Sequence, residues 1–260
     1  MDIQQQKQLK ILVIGDSCKD IYHYGICERI SSEAPIPIMK EQKTIIVKGM
    51  SSNVAENLKS FGVLVWHITN RKTIRKHRFV DLRFNQHLLR VDEGETEPLD
   101  RVNIKTIYDI QLPDVVIISD YNKGFLTSED CKQICEYYDL KKIPVFVDTK
   151  KNNIECFYNA IIKINEHEYR KLKNKENKNL IVTLGSRGAQ WNKKIYPTDK
   201  VELSDVCGAG DVFLSSLVYE YMLTKSIEDA IIFANKCASY SVTKFGTHVL
   251  TPEEIHDLRF

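Results

Sequence analysis

Residues 10–14 form a short apolar run closed by Gly15-Asp16, with Asp20 four residues further on; the pattern predicts a buried strand that ends in carboxylates. Carboxylates just past a strand end lie where open α/β sheets bind ligands, and turn-forming aspartates give the same pattern. From residue 22 to 40 the pattern changes: Pro35 and Pro37 alternate with Ile36 and Ile38, predicting edge-compatible β segments outside a main sheet. Lys48-Gly49-Met50-Ser51-Ser52-Asn53 then leads into Val54, Leu58 and Phe61, whose spacing predicts a short amphipathic helix capped by Ser or Asn and ended by Gly62.

After Pro113 the apolar runs alternate with helical spacing. Residues 115–118 read as a strand ending in Ser119-Asp120-Tyr121-Asn122-Lys123-Gly124, and Thr127 caps a helix carrying Cys131, Ile134, Cys135 and Tyr138. Residues 145–147 end in Asp148 and Lys150, residues 161–164 in Asn165-Glu166-His167-Glu168, and residues 180–184 in Gly185-Ser186-Arg187-Gly188. Four successive strands deliver polar residues at their C-terminal ends, as a parallel sheet with one ligand edge does. Phe213, Leu217 and Tyr221 predict a helix, Ile227, Ile231, Ala234, Ala238 and Val242 predict another, and Thr251-Pro252-Glu253-Glu254 is a capping box with proline in the first turn.

Composition narrows the class. At 260 residues, 43% hydrophobic and 28% charged, the chain can bury a sizeable core, and a net charge of +2 gives no reason to expect a nucleic-acid partner. Seven cysteines with no C-x-x-C pair read as reduced thiols. No apolar run reaches the ~18 residues of a membrane helix, and the start at Met1 carries no secretory apolar region, so a cytoplasmic protein with no membrane partner is expected. Between residues 71 and 90, seven Lys and Arg residues face a single acid, Asp81; a solvated strand face, a phosphate-bearing ligand and, more weakly, a nucleic-acid surface all account for them. The phosphate-loop, G-x-G-x-x-G, H-E-x-x-H and G-x-S-x-G patterns are absent.

Asp205-Val206-Cys207-Gly208-Ala209-Gly210-Asp211 opens the helix of Phe213. A glycine turn at a helix N-terminus presents N–H groups and a dipole to an anion, and a carboxylate beside it suits phosphoryl transfer to a hydroxyl. An ordinary helix start with Asp211 as its first-turn acid is the alternative.

The same stretch resembles the D-T-x-G-A-G-D signature of the ribokinase-like (PfkB) sugar kinases, and Asn165-x-x-Glu168 and Thr183-Leu184-Gly185-Ser186-Arg187-Gly188 fall where that family has its N-x-x-E and nucleotide-loop motifs. Gly15-Asp16 with Asp20, Arg29-Ile30-Ser31-Ser32-Glu33-Ala34-Pro35-Ile36-Pro37, Ser119-Asp120-Tyr121-Asn122-Lys123-Gly124 and Asp148-x-Lys150 look most like members that phosphorylate D-glycero-β-D-manno-heptose 7-phosphate at its anomeric hydroxyl. The resemblance implies a three-layer α/β/α fold with a mostly parallel central sheet, formed by residues 1–260 as a single stand-alone kinase domain, with a small β-sheet lid over residues 22–41 and 74–92 that also makes a homodimer. It implies Asp211 as general base and the N–H groups of Gly208, Ala209 and Gly210 as donors to the transferring phosphoryl group. Asp20, Gly49 and Asn53, with Asp120 and Lys123 nearby, would bind the sugar. Lys76, Arg78, Arg83 or Arg90 would meet its phosphate. Thr183, Gly185, Gly188 and Asn235 would lie along ATP, Asn165 and Glu168 would organise Mg²⁺ through water, and Asp205 would border a monovalent-cation site for K⁺.

The chain departs from the family pattern at Met50, where a paired glycine is usual, at Val206 in place of threonine, and after Trp66, where relatives carry an additional strand, helix and strand. Another acceptor, such as fructose or ribose, and a non-catalytic sugar- or nucleotide-binding homologue are the alternatives.

Overall fold

Alternate residues of the first strand, β1 (Lys10–Gly15), enter two separate apolar cores: Leu12 and Ile14 one, Ile11 and Val13 the other. Side chains of a strand alternate between faces, so a run apolar at every position is one covered on both sides. The computed structural model describes residues 8–96 and 99–259, and the start Met1 to Lys7 lies outside them. The order continues with β2 (Ser17–Ile30), β3 (Pro37–Met50), α1 (Ser51–Ser60), β4 (Leu64–Thr69), β5 (Ile74–Asp81) and β6 (Gln86–Glu93). It proceeds through α2 (Ile104–Tyr108), β7 (Val115–Asp120), α3 (Ser128–Leu140), β8 (Val145–Thr149), β9 (Ile161–Asn165), α4 (Glu166–Lys171) and β10 (Leu180–Thr183). It closes with β11 (Ala189–Trp191), β12 (Lys194–Tyr196), α5 (Ala209–Thr224), α6 (Ile227–Ser241) and α7 (Pro252–Arg259).

The main sheet has the order β12-β11-β10-β9-β8-β7-β1-β4, parallel from β10 to β4 and antiparallel through β11 and β12. One core joins the sheet to α2 and α3, the other to α1, α5, α6 and α7, giving three layers. A second sheet, β3-β2-β5-β6, is antiparallel except for the parallel pair β2–β5. No helix among the described residues is long and apolar enough to cross a membrane, and all seven cysteines are free thiols.

Two local expectations are corrected. The cap of α1 is neither Ser nor Asn: Met50 holds the position at φ 57° with no side-chain cap, while Ser51 donates to the Gly15 carbonyl at 3.1 Å and Asn53 turns inward. The Met50 side chain is itself buried among the β1 core residues, so it does not intrude on the ligand edge. After Trp66 the chain completes β4 and passes from Asn70 to Thr73 straight into β5. Asn70 closes this short passage, accepting from Ser17 N–H at 2.6 Å and donating to the Lys72 carbonyl at 2.6 Å.

Candidate active site

Asp211 lies in the first turn of α5, whose N-cap is Gly208 at φ 79°, a backbone conformation that suits glycine. A Cβ on Gly208 would also stand 2.9 Å from Asn53 Nδ2. The Asp211 carboxylate is 4% exposed; Oδ2 accepts from Asn53 Nδ2 at 2.9 Å and Oδ1 from the Tyr121 hydroxyl at 2.8 Å. Burial pushes its pKa up to about 6, Asp148 pushes the same way, and the two hydrogen bonds and Lys163 oppose it. A carboxylate poised there accepts a proton at neutral pH more readily than an ordinary aspartate.

Asp211 borders a cavity of about 580 Å³ lined also by Gly208, Gly210, Tyr121, Asp148, Lys150, Lys163, Asn165 and Thr183. A second cavity of about 670 Å³ shares Thr183, Gly185, Val206 and Gly210 with it and continues past Gly188 to Asn235 between apolar Val201, Leu203, Phe213 and Val242. Asn165 and Glu168 form the capping box of α4, and Lys150 pairs with Glu168. Ala209 N–H turns back to the Val206 carbonyl at 3.4 Å. Asn235 donates to the Tyr196 carbonyl at 2.8 Å, fastening the end of β12 just before Thr198 to Val201 line the second cavity.

Sequence reasoning passed over Lys163, Asp148 and Tyr121 as site residues. Lys163 Nζ meets Asp148 Oδ2 at 2.7 Å and the Gly210 carbonyl at 3.3 Å, directly behind the glycine turn. The Asp148 Oδ1 atom is buried without a hydrogen-bond partner among the described residues.

On the second sheet, Asp20, Lys76 and Arg78 face the main body, with Arg78 Nε 3.1 Å from Asp20 Oδ1 and Lys76 Nζ 5.9 Å from the Tyr121 ring centroid. Arg90 lies opposite Arg78 on β6 and pairs with Asp92 at 2.5–2.6 Å. Gly49 sits under this group: a Cβ there would lie 2.2 Å from Asp20 Oδ2.

Four expected positions do not stand free at the cavity. Arg83 lies in the turn beyond the end of β5 and is bound to Asp81 and the Cys27 carbonyl. Asp120 is buried beneath Lys151 and Thr149, and Lys123 pairs with Glu95. Asp205 accepts from Cys207 N–H at 2.9 Å on one oxygen, and from Gly246 N–H at 3.1 Å and His87 at 3.3 Å on the other. The imidazole of His87, from the second sheet, thus borders Asp205.

A parallel sheet whose ligand edge holds a glycine turn, a buried carboxylate and two joined cavities suits a phosphotransferase that uses a hydroxyl acceptor. The chain belongs to the pfkB family of carbohydrate kinases, whose sequence profile matches residues 66–254. These are ATP-using enzymes that phosphorylate sugars. The bifunctional protein HldE of Nitratiruptor sp. is 34% identical over 95% of this chain and 64% of its own length. That alignment runs over 303 positions, more than this chain has residues, so the relative carries residues this chain lacks. The chain spans 64–66% of the length of the curated relatives it matches first. Among solved structures, phosphofructokinase-2 from Escherichia coli in complex with potassium has a TM-score of 0.71 at 14% identity, covering 96% of this chain and 97% of its own. Ribokinase from Arabidopsis thaliana complexed with ribose and ATP has a TM-score of 0.69 at 16% identity, covering 96% and 98%. At these identities the likeness shows the ribokinase-like fold.

Proposed function

We propose that this chain transfers the γ-phosphate of ATP to the anomeric hydroxyl of D-glycero-β-D-manno-heptose 7-phosphate, giving the 1,7-bisphosphate used for surface polysaccharide precursors in the cytoplasm. The observation that carries the reading is Asp211: a carboxylate buried against the first cavity next to Gly210, which both cavities share, its pKa pushed up by burial to about 6, beside a glycine turn and near a sheet bearing Lys76, Arg78 and Arg90. The likeness to HldE supports heptose 7-phosphate as the acceptor.

Asp211 takes the proton of the sugar hydroxyl as it attacks, and the Gly208 to Gly210 turn receives the transferring group. ATP lies along the second cavity, its base between the apolar side chains and its phosphates toward Gly210. The sheet of β2, β3, β5 and β6 is the lid, with Asp20 and Asn53 on the sugar side and Lys76, Arg78 and Arg90 toward the sugar phosphate; Arg83 is given up for Arg78. Asn165, which lines the first cavity, and Glu168, joined to it in the α4 capping box, would hold Mg²⁺ through water and phosphate. Such an ion neutralises charge on the phosphates. A monovalent cation would border Asp205, and the rate measured across a KCl series tests for it.

The test is a direct acceptor screen with ATP and Mg²⁺. Heptose 7-phosphate is expected to be phosphorylated with a kcat/KM above fructose and ribose, and Asp211→Asn is expected to lower kcat by roughly 10²–10⁴. Turnover of another sugar in preference removes the heptose assignment. ATP and sugar binding without turnover establishes the non-catalytic homologue instead.

A further inference from the structure

Tyr121 follows the last residue of β7 and sends its hydroxyl into the Asp211 carboxylate. Two cations lie over its ring: Lys150 from the floor, with Nζ 5.3 Å from the ring centroid, and Lys76 from the second sheet at 5.9 Å. Lys150 is in turn fixed by Glu168. The ring therefore bridges floor and lid at the one point where its hydroxyl meets the base.

Each carboxylate oxygen has two lone pairs. On Asp211 one is filled on each oxygen, by Tyr121 on Oδ1 and by Asn53 on Oδ2, so the plane of the group is fixed and a lone pair is left on each for an incoming hydroxyl. Both donors are neutral. A lysine in direct contact would stabilise the anion far more and spoil it as a base, and the lysine at hand, Lys163, is held by Asp148 at 2.7 Å. Burial and the Asp211 charge push the Tyr121 phenol well above its ordinary range, so it remains a donor and does not compete for the acceptor's proton.

We propose that Tyr121 is the positioning residue of the catalytic base: its hydroxyl, seated by Lys76 and Lys150, holds the Asp211 carboxylate oriented and ionised for the acceptor hydroxyl. The assignment rests on the kinase reading above for its catalytic consequence, and on contacts within the free protein for its physical basis. The titratable and charged groups around Asp211 are Asp148, Lys163 and Lys150 from β8, β9 and the loop after β8, Cys18 from β2, and Tyr121 itself.

Tyr121→Phe removes the hydroxyl and keeps the ring. In protein labelled with ¹³C at aspartate carboxyls, with the Asp211 signal assigned through Asp211→Asn, its titration midpoint is expected to rise by about one pH unit, the worth of one hydrogen bond to a charged group. The acid limb of kcat/KM should rise with it, and kcat at pH 8 should fall while KM for the sugar changes little. Replacement of Tyr121 by 3,5-difluorotyrosine, a stronger donor of nearly the same shape, should move the midpoint down, and this variant decides the matter if the phenylalanine form fails to fold. A midpoint coincident with wild type in both variants overturns the assignment. A wild type that phosphorylates no sugar overturns the kinase reading alone, because the carboxyl titration in the free protein still tests Tyr121.

Discussion

Asp148 and Lys163 are each 3% exposed, and their 2.7 Å ion pair backs the glycine turn of Gly208 to Gly210. Asp148→Asn leaves the Lys163 ammonium buried without its counter-charge, which should cost about 3–5 kcal/mol of stability, read from the urea unfolding midpoint. The same substitution removes a negative neighbour that pushes the Asp211 pKa up. In protein that remains folded, the acid limb of kcat/KM should therefore move to lower pH, opposite to the shift from Tyr121→Phe. For wild type the sign follows from the role proposed for Asp211: with its pKa pushed up by burial to about 6, kcat/KM should be level above that pH and fall about tenfold per unit below it. Asp211 was legible in the sequence because its two glycines announce a turn at a helix start. Lys163 was not, since a lone lysine inside Ile161-Ile162-Lys163-Ile164 has the look of a strand position facing water, and the partner that lets it be buried lies on the neighbouring strand. A charged residue in a strand otherwise apolar on both faces is the signal that could have found it.

At the scale of elements, α1 is fixed from below rather than capped. Gly49 and Met50 end β3, Met50 takes the strained positive-φ position and buries its side chain, and Gly49 leaves room for Asp20. A methyl at 49 would stand 2.2 Å from Asp20 Oδ2 and 2.6 Å from Cys18 Sγ, so Gly49→Ala must displace the carboxylate that holds Arg78. Sugar KM is expected to rise by at least tenfold with kcat less affected, together with about 1–3 kcal/mol of destabilisation by overpacking. An unchanged KM would show that Asp20 and Arg78 do not touch the sugar. The parallel strands β1, β7, β8, β9 and β10 were legible as apolar runs ending in polar residues. The three-residue strands β11 and β12 are too short to show a period, and β4 is an edge strand of half-buried residues, Leu64-Val65-Trp66-His67-Ile68-Thr69, whose place depends on pairing with β1. The α1 cap was misread because Ser51, Ser52 and Asn53 are all good caps, and only packing shows that Ser51 and Asn53 serve Gly15 and Asp211 instead.

The whole molecule is a main sheet with a second sheet folded over its ligand edge. Tyr22 accepts from Thr247 N–H at 3.2 Å, and His87 stacks on Phe245 at 5.6 Å while meeting Asp205, so the contacts between sheet and body are specific. The inner face of the second sheet carries Asp20, Lys76, Arg78 and Arg90, and the centre of its outer face is apolar. Alternation along the strands puts Ile46, His77, Phe79, Leu89 and Val91 outward, with Ile46, Leu89 and Val91 exposed by 61%, 58% and 45%. A sheet with one uncovered apolar face calls for a partner layer, and a second copy is the occupant we propose. The centre of this face is apolar and its rim carries both signs, Glu41 and Glu93 beside Lys48 and Arg75, so it can meet itself across a two-fold axis with opposite charges paired. Wild type is expected to sediment as a dimer at micromolar concentration. Leu89→Glu with Val91→Glu should yield a monomer, since four carboxylates would then meet in the centre of the interface. Both positions lie on β6 and point away from the cavity, so the monomer should stay folded with an unfolding midpoint that no longer depends on protein concentration, while sugar KM rises if the partner steadies the lid. A wild type that sediments as a single chain throughout that range would remove the dimer and leave the active-site assignments unaffected.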